Sequence, residues 1–152
     1  MKTEIERFNP CEDALEFRKK YKTFRGAWNN CPRGDWMLWI AKRVGIDIRT
    51  LTLAKGYCAK TVIHLMKDQR SKDAVKAAID FGRGKIDEGQ LRNAADAANA
   101  AAYANANAAY AAANAAAYAA YSAAARIKNQ KATADICRKY LTKSVMEKIK
   151  SL

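Results

Sequence analysis

The chain has 152 residues, with 28 basic against 15 acidic side chains and a formal net charge of +13. That length suffices for one domain with its own core, and that charge favours an anionic partner: nucleic acid, a nucleotide, an acidic protein surface or anionic lipid. One histidine and four widely spaced cysteines, Cys11, Cys31, Cys58 and Cys137, with no Cys-x-x-Cys pair, argue against a zinc site. Only two prolines and seven glycines occur. No stretch keeps strand-like alternation, so the expectation is an all-α single domain over 1–152. The polar start, Met1–Arg7, does not read as a signal peptide. Buried reduced thiols in a cytoplasmic protein are expected.

The charge is unevenly placed. Residues 1–92 carry 20 basic and 12 acidic groups, a surplus of 8. Residues 93–125 carry Asp96 alone, and residues 126–152 carry 8 basic against 2 acidic groups. Two basic blocks therefore flank a nearly neutral segment.

In chain order, a first helix is expected over Cys11–Phe24, with an apolar face of Leu15, Phe17, Tyr21 and Phe24. A turn through Gly26–Asn30 follows. Pro32 suits the first turn of a second helix, where its missing N–H costs nothing. Asp35 favours the same first turn through the helix dipole. Trp36, Trp39, Ile40 and Val44 follow at helical spacing, with Trp36 the better core candidate, and Gly45 ends the helix. A third helix is expected over Thr50–Met66, striped by Leu51, Ala54, Cys58, Val62 and Leu65. Gly56 in its middle costs ~1 kcal/mol against alanine, which suggests a close helix crossing. Ser71 is a cap for a fourth helix to Phe81, stopped by Gly82 and Gly84. Asp87 with Gln90 resembles a capping box that opens a long helix.

Residues 94–125 hold 22 alanines in 32 positions. Alanine has the highest helix propensity and the smallest side chain that still favours helix. The exceptions are ordered: at 100° per residue, Arg92, Asp96, Asn99, Tyr103, Asn107, Tyr110, Asn114 and Tyr121 share one stripe, with Tyr118 at its edge. A helix over 88–125 would be about 57 Å long. A domain of this size is roughly 40 Å across. The helix therefore either breaks near 105–107 or projects against a partner subunit, and a homodimer is the expectation. Recurrent asparagine and the weak apolarity of alanine exclude a membrane span. Beyond it, Ile127, Ala134, Cys137, Tyr140 and Leu141 suggest an amphipathic helix, and Val145, Met146 and Ile149 a short terminal one. The expected architecture is a bundle of about five to seven helices around a long Ala-rich helix.

Tyrosine rings can hold a planar group and asparagine amides can donate and accept, so the stripe is the first candidate binding face. Arg92 at one end and Arg126 or Lys128 at the other supply charge. The competing reading makes the tyrosines packing knobs of a central helix. His64, placed with Lys60 and Tyr57 away from the apolar stripe, is a weaker candidate. It has no cysteine, serine or carboxylate companion at useful spacing. Lys60 reads better as an anion contact. The run Arg18–Arg25 interleaves Tyr21 and Phe24 with five cations, as nucleic-acid surfaces do and as plain amphipathic helices also do. Phe81-Gly82-Arg83-Gly84-Lys85 lacks the spacing of a phosphate loop and reads as a helix–helix turn. No catalytic residue, metal ligand or cofactor motif is visible, so no enzyme is expected.

Three segments occur in order: Cys31-Pro32-x-x-Asp35-Trp36-Met37-Leu38-Trp39, Leu53-Ala54-Lys55-x-x-Cys58-Ala59, and the Ala-Tyr-Ala-Ala-Tyr helix ending at Arg126. Together they resemble the immunity-five-like immunity proteins of bacterial polymorphic-toxin systems, over about Trp28 to Leu141. The resemblance implies an all-α, intracellular, non-catalytic protein that neutralises a cognate toxin or effector by binding it. It carries over no binding residues. Inhibitors of basic nuclease toxins are expected to be acidic. A chain this basic points instead to an acidic target or to an anionic ligand. The alternative function is therefore sequestration of a small anionic signal such as a nucleotide, as a phage counter-defence protein would perform. Nucleic-acid binding is the third reading.

Overall fold

The computed structural model describes residues 3–100 and 123–152. Among the described residues the fold is all-helical. A 3-10 turn, Glu6–Phe8, precedes α1 (Glu12–Lys19), α2 (Phe24–Asn30), α3 (Gly34–Arg43) and α4 (Ile48–Lys60). A second 3-10 turn, Ile63–Leu65, leads to α5 (Gln69–Gly82). Helical residues 88–100 form α6, and α7 is Ala123–Lys150. The expected break of the Ala-rich helix near 105–107 lies outside the described residues.

Helix α7 has 28 residues, about 42 Å of helix. It supplies the axis of the core. Ala134, Cys137, Leu141 and Val145 are 0% exposed. Against them pack Met37, Ile40 and Ala41 of α3 and Leu51, Ala54 and Cys58 of α4. The sequence reading split this stretch into two helices; it is one, because no glycine or proline interrupts 127–150. Ile127, assigned to its apolar face, is 64% exposed. Of α6, Leu91, Ala94 and Ala98 are half-buried and the remaining residues are exposed.

Other boundaries also move, for local reasons. The expected helix Cys11–Phe24 is two helices, and the expected turn Gly26–Asn30 is α2. Thr23 breaks the chain by accepting from Gly26 N at 3.0 Å, which opens α2. Arg33 is extended (φ −121°, ψ 104°) and stands as the N-cap, so α3 starts at Gly34 and Pro32 lies before it. Asp47 accepts from Thr50 N at 2.9 Å, starting α4 earlier than expected. Hydrogen bonding from the Thr50 side chain, and then from its backbone N–H, holds the Asp47 carboxyl below its ordinary pKa. Helix α4 then stops at Lys60, six residues early. Asp68, not Ser71, caps α5 through Arg70 N at 2.8 Å. The capping box is as expected: Gln90 N donates to Asp87 at 2.8 Å, and Asp87 N donates to Gln90 at 3.0 Å. Gly45 has φ +74° just past α3, as its stop role requires. Trp36 and Trp39 are half-buried; Trp28 and Met37 take the core positions instead.

Three glycines permit the close crossings. A Cβ on Gly56 would lie 2.9 Å from Ile79 Cγ1 and 3.2 Å from Ala78 Cβ, which bears out the expected crossing, here of α4 with α5. The same pair is closed from the other side, where a Cβ on Gly82 would lie 2.8 Å from Leu53 Cα. A Cβ on Gly34 would lie 2.6 Å from Thr133 C in α7. Alanine normally stabilises a helix by ~1 kcal/mol over glycine. At Gly34 and Gly82 the new methyl meets backbone, and overpacking costs about 1–3 kcal/mol. Gly34→Ala and Gly82→Ala should therefore each lower the urea unfolding midpoint despite the gain in propensity. A raised midpoint for either would refute the close-approach account.

Candidate functional site

Helix α2 is fixed on α7 by two side chains. Trp28 Nε1 donates to Thr142 Oγ1 at 2.8 Å, and the Thr142 hydroxyl donates to Arg138 O at 2.6 Å. Arg138 Nη1 donates to Cys31 O at 2.8 Å, Asn29 O at 3.3 Å and Trp28 O at 3.4 Å. The guanidinium thus closes the C-terminal end of α2, where unpaired carbonyls concentrate negative partial charge. Its other nitrogen reaches Asp135 at 2.6 Å.

With α2 held this way, Arg25 on its outer side faces a row on α7. Arg25, Lys139, Thr142, Lys143, Met146, Glu147 and Lys150 line a cleft of about 500 Å³. The α7 positions recur at three and four residues and so share one helix face. The cleft holds four cations and one carboxylate. All four cations are exposed. Among the described residues none of the four is held in an ion pair. A surplus of cations over the single carboxylate Glu147 favours anions in the cleft.

A second cleft, of about 570 Å³, borders Ile149 in the last turn of α7 and Leu152 just beyond it. Arg7, Lys19, Lys22 and Tyr21 line it, with Arg18 and Glu4. Arg18 is 7% exposed. It donates to both Glu4 carboxylate oxygens at 2.8 Å and to Tyr21 O at 2.7 Å. Of the five cations in the Arg18–Arg25 run, Arg18 is therefore a structural tie, and Lys19, Lys20, Lys22 and Arg25 form the surface. Phe24 is buried as well, so the interleaved aromatic pattern reduces to Tyr21. An apolar cavity of about 60 Å³ lies beneath, between Phe17, Phe24, Trp28 and Trp39. That is well below the roughly 300–1,000 Å³ of ligand pockets.

The sequence-predicted site residues are scattered. Tyr103, Asn107, Tyr110, Asn114, Tyr118, Tyr121 and the Arg126 side chain lie outside the described residues. Arg92 is exposed and pairs with Glu88 at 3.3 Å one helical turn away. Asn99 is exposed. His64 is exposed on the 3-10 turn Ile63–Leu65 and not on a helix, because α4 has already ended. Lys60 is the exposed last residue of α4. Tyr57, grouped with them from sequence, is half-buried and stacks on Tyr140 instead. Lys128 is exposed, eleven residues or three turns before Lys139, so it extends the α7 row. Asp35 pairs with the neighbouring Arg33 at 2.5 Å, which holds its carboxyl below the ordinary value. Lys139, Lys143 and Lys150 were missed. Their spacing of four and seven residues was the signal, and splitting α7 in two concealed it.

Cys31, Cys58 and Cys137 are buried, and Cys11 is exposed against expectation. The adjoining Cys58 sulfur and burial together push the Cys137 thiol well up, so it stays neutral. Burial likewise raises Cys31. Among the described residues no group of three or more His, Cys, Asp or Glu side chains could hold a metal ion. Nor is any described helix long and apolar enough to cross a membrane. No family model matches the chain, and no curated protein or solved structure matches it.

Arg138→Met tests how the cleft is built. It strips three carbonyls of a charged donor, and such bonds are worth about 1.5–3 kcal/mol. Urea denaturation should show a loss of that order, while Lys139→Met changes stability by less than about 0.5 kcal/mol, as exposed positions do. Equal effects would remove Arg138 from its capping role.

Proposed function

We propose that this chain is a non-catalytic binding protein that captures an anionic partner on the α2–α7 face, in the manner of an immunity protein holding an acidic toxin or effector. One observation carries the reading. Four exposed cations, Arg25, Lys139, Lys143 and Lys150, line one cleft and are not ion-paired among the described residues. Complementary charge of this kind speeds encounter and selects the partner. On the same face of α7 Lys128 stands 22 residues before Lys150, about 33 Å, with Asp135, paired to Arg138, between Lys128 and Lys139. Sequence resemblance to immunity-five-like proteins supports the same class. Its basic charge turns the usual arrangement around: here the inhibitor supplies the cations and the target the carboxylates. A homodimer through the Ala-rich segment remains part of this proposal.

A second reading rests on the size of the cleft. About 500 Å³ lies within the range of small-molecule pockets. A nucleotide-sized anion held by Arg25, Lys139 and Lys143 would make the chain a sequestering protein.

Native mass spectrometry on protein gently purified from its own host compares the two. An acidic protein bound to the wild-type chain, and at least tenfold depleted from Lys143→Glu/Lys150→Glu, is the expected result. A few hundred daltons of bound mass that disappears in the same variant selects the sequestering reading. Identical spectra for wild type and variant would contradict both.

A further inference from the structure

The two clefts at the C-terminal end of α7 are neighbours. Ile149 lines one and Lys150 the other, and these are consecutive residues of the last helical turn. On the facing side Lys22 and Arg25 divide in the same way, on either side of the Thr23 cap of α2. One surface therefore runs from Arg7, Lys19 and Lys22, over the end of α7, to the four cations of the α2–α7 cleft. Arg7, Lys19 and Lys22 are exposed like those four. Among the described residues they too are held in no ion pair. Two carboxylates border the joined surface. Glu4 is already neutralised by Arg18 at 2.8 Å, which leaves Glu147.

The lining discriminates between large anions. A single strand is held by bases that stack on open aromatic rings. Among the described residues Tyr21 is the one aromatic side chain lining either cleft, and its ring packs on Phe17 with centroids 5.2 Å apart. A lipid surface takes up apolar side chains among its headgroups. Of the apolar residues in the lining, Met146 is buried, Ile149 is half-buried and Leu152 alone is exposed. A ribose 2′-hydroxyl is met by neutral polar groups. Here the Thr142 hydroxyl already serves Trp28 and Arg138 O, and Thr3 Oγ1 donates to Glu6 at 3.2 Å. What the surface offers is lysine and arginine. Their complement is a dense array of phosphates that demands no contact with bases, and a DNA duplex carries one charge per about 1.7 Å of its axis.

We propose that the two clefts form one sequence-independent binding surface for the phosphate backbone of double-stranded DNA. This goes beyond the acidic-partner reading, which needs only the α2–α7 cleft. Substitutions in the cleft beside α1 separate the two, because they weaken DNA binding and leave a protein partner in place.

Fluorescence anisotropy of a labelled duplex of about 20 base pairs, titrated with the full chain between about 50 and 200 mM salt, reads the number of phosphates engaged. Seven contacts predict a logarithm of the association constant that falls with the logarithm of salt at a slope of about −6. Lys19→Gln with Lys22→Gln should flatten that slope by about 2, and Lys139→Gln with Lys143→Gln by the same amount. Lys42→Gln with Lys67→Gln, exposed but outside both clefts, should leave it unchanged. A slope that responds to the α7 pair alone overturns the joined surface and leaves the α2–α7 anion site standing. Equal flattening by the control pair overturns it as diffuse surface charge. A single strand of the same length that binds more tightly than the duplex overturns the duplex as occupant. Absence of duplex binding overturns the proposal outright, and sedimentation of such a chain with phosphatidylglycerol vesicles would assign the surface to a membrane.

Discussion

Helix α3 can lie against α7 only because residue 34 has no side chain. Thr133 backbone occupies the space in which a Gly34 Cβ would sit. That approach aligns the buried stripe of α7 with Met37, Ile40 and Ala41 of α3. Glycines 56 and 82 do the same for α4 and α5 from opposite sides of one crossing. Small residues thus set the spacing of the bundle, and the large apolar side chains fill what the spacing leaves. The cleft on the outer face of α7 inherits its shape from this arrangement.

Three arginines tie the ends of helices and turns by donating to backbone carbonyls, while Arg25, Arg43, Arg83 and Arg92 lie on the surface. Arg18 donates to Tyr21 O, Arg49 donates to Phe81 O at 2.6 Å, and Arg138 donates to Cys31 O at 2.8 Å. A planar guanidinium with five donors suits several carbonyls at once. Lysines stay on the surface, where a strongly hydrated ammonium costs least. Much of the +13 charge is consequently available to a partner through lysine rows, of which that on α7 is continuous with a cleft.

Fold class was legible because periodicity and caps are local. The Asp87–Gln90 box, the Gly56 crossing and the stop at Gly45 all follow from a few neighbouring residues, and all three occur. Boundaries failed where a competing cap was overlooked, as at Thr23, Asp47 and Asp68. The candidate site was less legible because it joins residues more than a hundred positions apart. Nothing local shows that Arg25 faces Lys143, or that Trp28 bonds Thr142. Lys128 was singled out from its nearness to the Ala-rich segment, and it lies on the α7 row for a different reason, the eleven-residue spacing to Lys139. Tyr57 was paired with His64 by helical spacing along a helix that stops at Lys60; its true neighbour, Tyr140, lies 83 positions away.

The central claim is that anions collect on the α2–α7 face rather than over the whole basic surface. The most direct measurement is a residue-resolved NMR titration with inorganic tripolyphosphate at moderate salt. The account predicts shift changes concentrated at Arg25, Lys139, Thr142, Lys143 and Lys150, saturating together. Changes of equal size at Lys42, Lys67 and Lys72, with no common saturation, would mean that the charge is only a solvated surface.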